Sequence, residues 1–179
     1  MRRPARKLRW RGVGEYRDEA EGLLEQAGDA AAVIRGRLRS LILKCPDGCG
    51  ETLSINLDPR VGKAWRLDVR CERLSLYPSV WREGGCKSHF ILWRDHIVWC
   101  GRFEDENEEP AYHPELEALV LEALDPRIFR TSFEVAVEID EIIWDVDRVL
   151  RRLVREGRAE AGGSASRRLF RRVESKARR

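Results

Sequence analysis

Seven short runs of β-branched, leucine and aromatic residues follow one another along the first hundred residues, separated by turn signals. They are Ala32-Val33-Ile34, Ser40-Leu41-Ile42-Leu43, Thr52-Leu53-Ser54-Ile55-Asn56-Leu57, Trp65-Arg66-Leu67-Asp68-Val69, Leu74-Ser75-Leu76-Tyr77, His89-Phe90-Ile91-Leu92-Trp93 and His96-Ile97-Val98-Trp99. Runs this short, with Asp58-Pro59, Gly84-Gly85 and Arg94-Asp95 between them, predict antiparallel strands rather than helices. The core of this β domain spans about Ala31 to Phe103, and the acidic, weakly helical stretch Glu15 to Gln26 extends it to residues 15–103. Residues 1–14 are basic and have no periodic apolar face, which predicts a disordered arm.

The texture changes after Phe103. Glu104 to Pro110 holds five carboxylates and a closing proline, and residues 104–113 read as an acidic linker. Beyond it, Glu115 to Leu124 has apolar residues at helical spacing. Ser132 is a cap for Phe133 to Glu138, and Asp140 a cap for a third helix in which Ile143, Val146, Leu150 and Leu153 share a face up to Gly157. Two strand-like runs then flank Gly162-Gly163-Ser164. This order of three helices and a hairpin, over residues 114–173, resembles winged helix-turn-helix domains, and residues 174–179 form a basic tail. The expected fold class is therefore α+β, a small antiparallel β domain followed by a winged-helix-like domain. In that family the third helix commonly reads the DNA major groove. Here its first half offers Asp140, Glu141, Asp145 and Asp147, which repel phosphates, so nucleic acid is not the expected partner.

Composition adds constraints. The chain has 179 residues, 42 % of them hydrophobic, enough for one full domain or two small ones. Its net charge of +3 hides a segregation: Glu104 to Asp147 carries 15 carboxylates against two arginines, whereas Arg148 to Arg179 carries 12 basic residues against three acidic ones. Such blocks steer charged partners or form solvated faces. The sequence has no apolar run approaching 18 residues and no secretory signal, so a soluble, cytoplasmic protein without a membrane partner is expected. Five cysteines in such a chain point to reduced thiols or metal ligands rather than disulfides. Cys71 and Cys100 read as small apolar strand residues.

The candidate chemistry lies in Cys45-Pro46-Asp47-Gly48-Cys49-Gly50 and Cys86-Lys87-Ser88-His89-Phe90. A C-x3-C pair followed, after 36 intervening residues, by C-x2-H suits a tetrahedral zinc site with Cys45, Cys49, Cys86 and His89 as ligands. Equally, His89 is a candidate general base for a serine hydroxyl, which is a poor nucleophile until a base activates it. The two roles exclude each other, because a metal-bound nitrogen cannot accept a proton. His96, beside an Asp95 turn, and His113, in the linker, read as solvated.

Several motifs occur together in order: Gly28-Asp29-Ala30, Arg35-Gly36-Arg37, Cys45 to Glu51, Ile55-Asn56-Leu57, Ala64-Trp65-Arg66-Leu67, Leu76-Tyr77-Pro78-Ser79-Val80-Trp81, Gly85 to Ile91 and Ile97-Val98-Trp99. Over about Gly28 to Gly101 they resemble the bacterial domain-of-unknown-function family 6527. Its members are encoded beside ubiquitin-like proteins and their activating and conjugating enzymes, in operons linked to antiphage defence. They are described as serine peptidases whose Ser-His dyad removes the modifier from its conjugates. The resemblance implies that activity here, with the modifier, its conjugates and those enzymes as partners. It also implies His89 as base. Ser79 is then the best nucleophile, because it precedes His89 by ten residues across a turn, so a hairpin can bring both side chains to one face. Ser88 adjoins His89 and points to the opposite face, and Ser75 lies farther back. Gly84 and Gly85 amides are candidate oxyanion donors, and Asn56 a candidate third group orienting the imidazole. Cys45, Cys49 and Cys86 remain a candidate structural zinc site with its fourth ligand open. Two other readings stand beside the hydrolase: a non-catalytic, zinc-stabilised adaptor of the same pathway, and, more weakly, a DNA-binding regulator.

Overall fold

Antiparallel strands do form from the alternating runs, in two four-stranded sheets. In the computed structural model, which describes residues 3–174, one sheet has the order β1 (Arg9–Gly14), β2 (Asp29–Ile34), β3 (Leu38–Lys44) and β4 (Thr52–Asn56). The other has the order β5 (Arg66–Arg70), β6 (Arg73–Trp81), β7 (His89–Trp93) and β8 (His96–Trp99). Every neighbouring pair is antiparallel except β1 and β2, which run parallel. The unbroken apolar run of β3 has a simple cause. Leu41 and Leu43 point into a core shared with Leu76, Phe90, Leu92 and Trp99 of the other sheet, while Ile42 points to the opposite face. There it packs on Ala20 and Leu24, from and just beyond α1 (Arg17–Gly22).

The expected disordered arm is, from Ala5 onward, built into the fold. Ala5 N–H donates to Pro46 O, Leu8 N–H to Asp95 O and Arg9 N–H to Gly28 O, and Ile97 N–H donates to Arg6 O. Arg9–Gly14 then adds a parallel strand. Gly28 makes the approach possible: it has φ +87°, and a Cβ there would stand 2.8 Å from Lys7 O. Hydropathy misses this segment because backbone hydrogen bonds and one buried leucine hold it, rather than an apolar face. Residues 1–2 of the arm and 175–179 of the basic tail lie outside the described residues.

Asp29 also ties the arm down. Its carboxylate, fully buried, accepts hydrogen bonds from Arg9 Nε at 2.8 Å, Glu25 N at 3.0 Å and Gln26 N at 2.9 Å. Burial pushes its pKa up, but the Gln26 and Glu25 amides and the Arg9 guanidinium outweigh burial and hold it below the ordinary value. A lowered folded-state pKa adds stability at neutral pH that is lost as pH falls below about 4, through the folded value. Chemical denaturation should therefore show Asp29→Ala about 2 to 3 kcal/mol less stable at pH 7. The gap between variant and wild type should close in acid.

The acidic linker is also shorter than expected. Glu104–Glu106 forms a 3-10 turn, Asn107 bonds both backbone groups of Trp99 at 2.6 and 2.8 Å, and the Glu104 carboxylate accepts the Gly101 N–H at 2.6 Å. The first compact unit thus runs through Pro110.

The second unit contains α2 (Leu116–Ala123), α3 (Ser132–Glu138), α4 (Ile143–Arg155) and a hairpin of β9 (Ala159–Gly163) and β10 (Arg168–Arg172). Val120, Val135, Val146, Leu150, Leu153 and Phe170 are buried in it. Two caps differ from expectation. Thr131, not Ser132, caps α3, in a reciprocal box with Glu134. Asp140 lies at φ +50° ahead of α4, whose N-cap is Ile142. The chain is α+β, and among the described residues no helix is long and apolar enough to cross a membrane.

Candidate functional site

Ser79 and His89 meet across the β6–β7 hairpin. Trp81 pairs with His89 and Val80 with Phe90, but the next pair is Leu76 with Leu92, so four steps on β6 match two on β7. The surplus is a bulge at Tyr77-Pro78-Ser79, and bulges of this kind re-aim side chains. Ser79 precedes Trp81 by two residues and so shares its face, the one carrying His89. Ser79 Oγ stands 3.0 Å from His89 Nε2. With the ring proton on Nδ1, the hydroxyl donates to Nε2, the pairing that general-base activation requires. The Trp81 ring lies against the imidazole, with centroids 5.8 Å apart and planes tilted by 36°. Behind the bulge, Trp65 Nε1–H donates to the Ser79 carbonyl at 3.3 Å.

The surrounding expectations fare differently. Asn56 does not orient the imidazole. Its amide donates to Asp58 O at 3.1 Å and Lys63 O at 2.9 Å, and its oxygen accepts the Asp58 N–H, so it is spent on the turn that delivers Trp65. Among the described residues the His89 ring has its hydrogen bond with Ser79 Oγ. Gly85 lies close to Arg82 and Glu51: a Cβ there would sit 3.2 Å from Arg82 Nη2 and 3.6 Å from Glu51 Oε1. Ser88 is buried, 3.6 Å from Cys45 Sγ, and Ser75 Oγ accepts the Arg94 N–H at 2.8 Å. His96, expected to be solvated, is buried, with Nδ1 unpaired among the described residues. Cys71 is exposed in a turn at φ +50° rather than on a strand face.

Cys45, at the end of β3, Cys49, in the following turn, and Cys86, in the β6–β7 loop, converge. Their sulfurs all lie within 4.8 Å of one another, and Cys45 and Cys86 are 3.6 Å apart. Thiolates about 2.3 Å from one tetrahedral zinc stand roughly 3.8 Å apart, so the donor set fits that ion. His89 is not part of the cluster, contrary to the four-ligand reading. One residue that sequence reasoning missed is Arg82. Its Nη1 lies 3.3 Å from Cys86 Sγ and 3.6 Å from Cys49 Sγ, and its Nη2 pairs with the Glu51 carboxylate. A lone arginine after a strand gives no signal of such a contact. Burial pushes the Cys45 thiol up to about 11. For Cys86 burial acts in the same sense, but hydrogen bonds from Ser88 and the neighbouring thiols outweigh it and bring the group down to about 7.

No curated protein and no solved structure shows a significant match to the chain. Residues 16–100, the stretch that contains Ser79, His89 and the three clustered cysteines, match the family described as bacterial ubiquitination-like system serine protease (BubE), and that is the family to which this part of the chain is similar.

Proposed function

We propose that the first unit is a serine hydrolase that releases a ubiquitin-like modifier from its conjugates. The observation that carries the reading is the 3.0 Å contact between Ser79 Oγ and His89 Nε2, within the stretch that matches a serine-protease family. Ser79 Oγ attacks the carbonyl of the modifier's last residue while its proton passes to His89 Nε2. The tetrahedral adduct collapses, the imidazolium returns that proton to the departing amine or hydroxyl, and an acyl ester remains on Ser79. Water, deprotonated by His89, then frees the modifier and restores the hydroxyl. The modifier, its conjugates and the enzymes that make them are the expected partners, and antiphage defence is the expected setting.

The three thiols belong to the scaffold of this site. A zinc ion bound there would cross-link the end of β3 to the loop that leads into β7, and Arg82 would offset the negative charge of three thiolates. We read the second unit, three helices followed by a hairpin, as a winged-helix-like protein-docking module rather than a DNA reader. Asp147 at the start of α4 is paired with Arg151 at 2.7 Å, and Asp145 is buried.

The direct test is incubation of the purified protein with a conjugate of the modifier. Release of free modifier with an intact C-terminus is expected. A conjugate left unchanged by the folded protein would reject the reading.

A further inference from the structure

Among the described residues, the β6 edge beside Ser79 has main-chain groups that no other group uses. Cys100 N–H donates to His89 O at 2.9 Å, so the peptide groups of His89 face β8. Arg82 N–H donates to Ser88 O at 2.9 Å, which makes that pair hydrogen-bonded across β6 and β7. Antiparallel pairs alternate, so Trp81 and His89 form the pair without hydrogen bonds, and the N–H and C=O of Trp81 point away from β7. Lower on β6 that side is covered by β5, but the last pair of β5 is Arg66 with Tyr77. The next residue, Trp65, turns its own N–H to Asn56 O at 2.8 Å and its indole to Ser79 O. Among the described residues, the Trp81 peptide groups therefore have no partner. With Trp81 64 % exposed, a second chain can reach them.

We propose that this short open edge is the binding rail for the acyl-side tail of the substrate, docked as an extended strand antiparallel to β6. The inference rests on the hydrolase reading of Ser79 and His89. Unpaired edge groups are a template for an added strand, with main-chain bonds giving affinity whatever the side chains. The added strand continues the line and direction of β5. It runs from Trp81 towards Ser79, a distance of two residues or about 6.6 Å. One substrate residue exchanges both hydrogen bonds with Trp81, and the residue two positions further along carries the carbonyl that Ser79 attacks. Beyond that point Trp65 occupies the line. A main chain that continued straight through the scissile bond would collide with it, whereas a C-terminal tail whose leaving group branches away would not. The rail thus favours a terminal tail over an internal peptide bond.

The test uses the wild-type protein and full-length modifier prepared by semisynthesis as its C-terminal aminomethylcoumarin amide, with one backbone amide N-methylated at a time. Counting back from the scissile carbonyl, methylation of the third residue should lower kcat/KM by about tenfold or more, because the bond to Trp81 is lost and the methyl group blocks the edge. Methylation of the second residue, whose N–H faces away from the rail, should change it by less than about threefold. Cleavage of the unmethylated substrate with equal rates across the series would overturn the rail and leave the hydrolase reading standing. No cleavage of the unmethylated substrate would overturn both.

Discussion

Ser79→Ala should lower kcat/KM for a modifier conjugate by roughly four to six powers of ten, with the fold and thermal stability unchanged. The hydroxyl is a half-buried group on the outer face of β6 and its removal opens no core cavity, so a large loss of rate without loss of structure isolates its chemical role. His89→Ala should cost about as much, and the double variant little more than either single one, since nucleophile and base act as a unit. Hydrolysis kinetics with circular dichroism on each variant provide the check. Additive losses would mean that the two side chains act independently. Residual activity near wild type in Ser79→Ala would move the nucleophile elsewhere, and neither Ser75 nor Ser88, both buried, is placed to take over.

The second large effect concerns the thiols. The protein purified without chelator should contain about one zinc ion per chain, and replacing Cys45, Cys49 or Cys86 with alanine should remove it. Metal binding energy at a structural site is folding energy, so the loss should amount to several kcal/mol, read as a much lower denaturation midpoint. Cys45 is fully buried at the end of the central strand β3, and its substitution should be the most damaging. Because ligand thiols must lose their protons to bind the ion, acid should release the metal and destabilise the wild type towards the level of the variants. Metal analysis and thermal unfolding, before and after chelation, decide the matter. A metal-free protein whose stability chelation does not alter would show the cluster to be three packed thiols around Arg82.

Legibility from sequence followed the physics of each element. The strands whose apolar residues alternate or run together, β2 through β8, were visible because burial dictates their composition, as with Leu41 and Leu43 on one face of β3 and Ile42 on the other. β1 was not, since backbone bonds and the Arg9–Asp29 pair hold it and neither leaves a hydrophobic period. The same limit hid the anchoring of Asn107 on Trp99. At the site, the ten-residue separation across a turn conveyed that Ser79 and His89 share a face. The bulge that sets their 3.0 Å contact depends on a two-against-four register that spacing alone does not specify. Spacing also overreached: C-x2-H suggested a fourth zinc ligand, but His89 begins a strand whose pleat turns its ring towards Ser79, away from the thiols. Asn56 failed for a similar reason, because nearby backbone in the same turn competed for its amide and won.

The central claim is an activated hydroxyl at Ser79, and its most direct test needs no knowledge of the substrate. Treatment with diisopropyl fluorophosphate, which transfers a phosphoryl group to an activated serine and expels fluoride, followed by peptide mapping, should give a single adduct on Ser79. The adduct should form at a negligible rate in His89→Ala. An adduct on another serine, or none at all in the folded wild-type protein, would contradict the account.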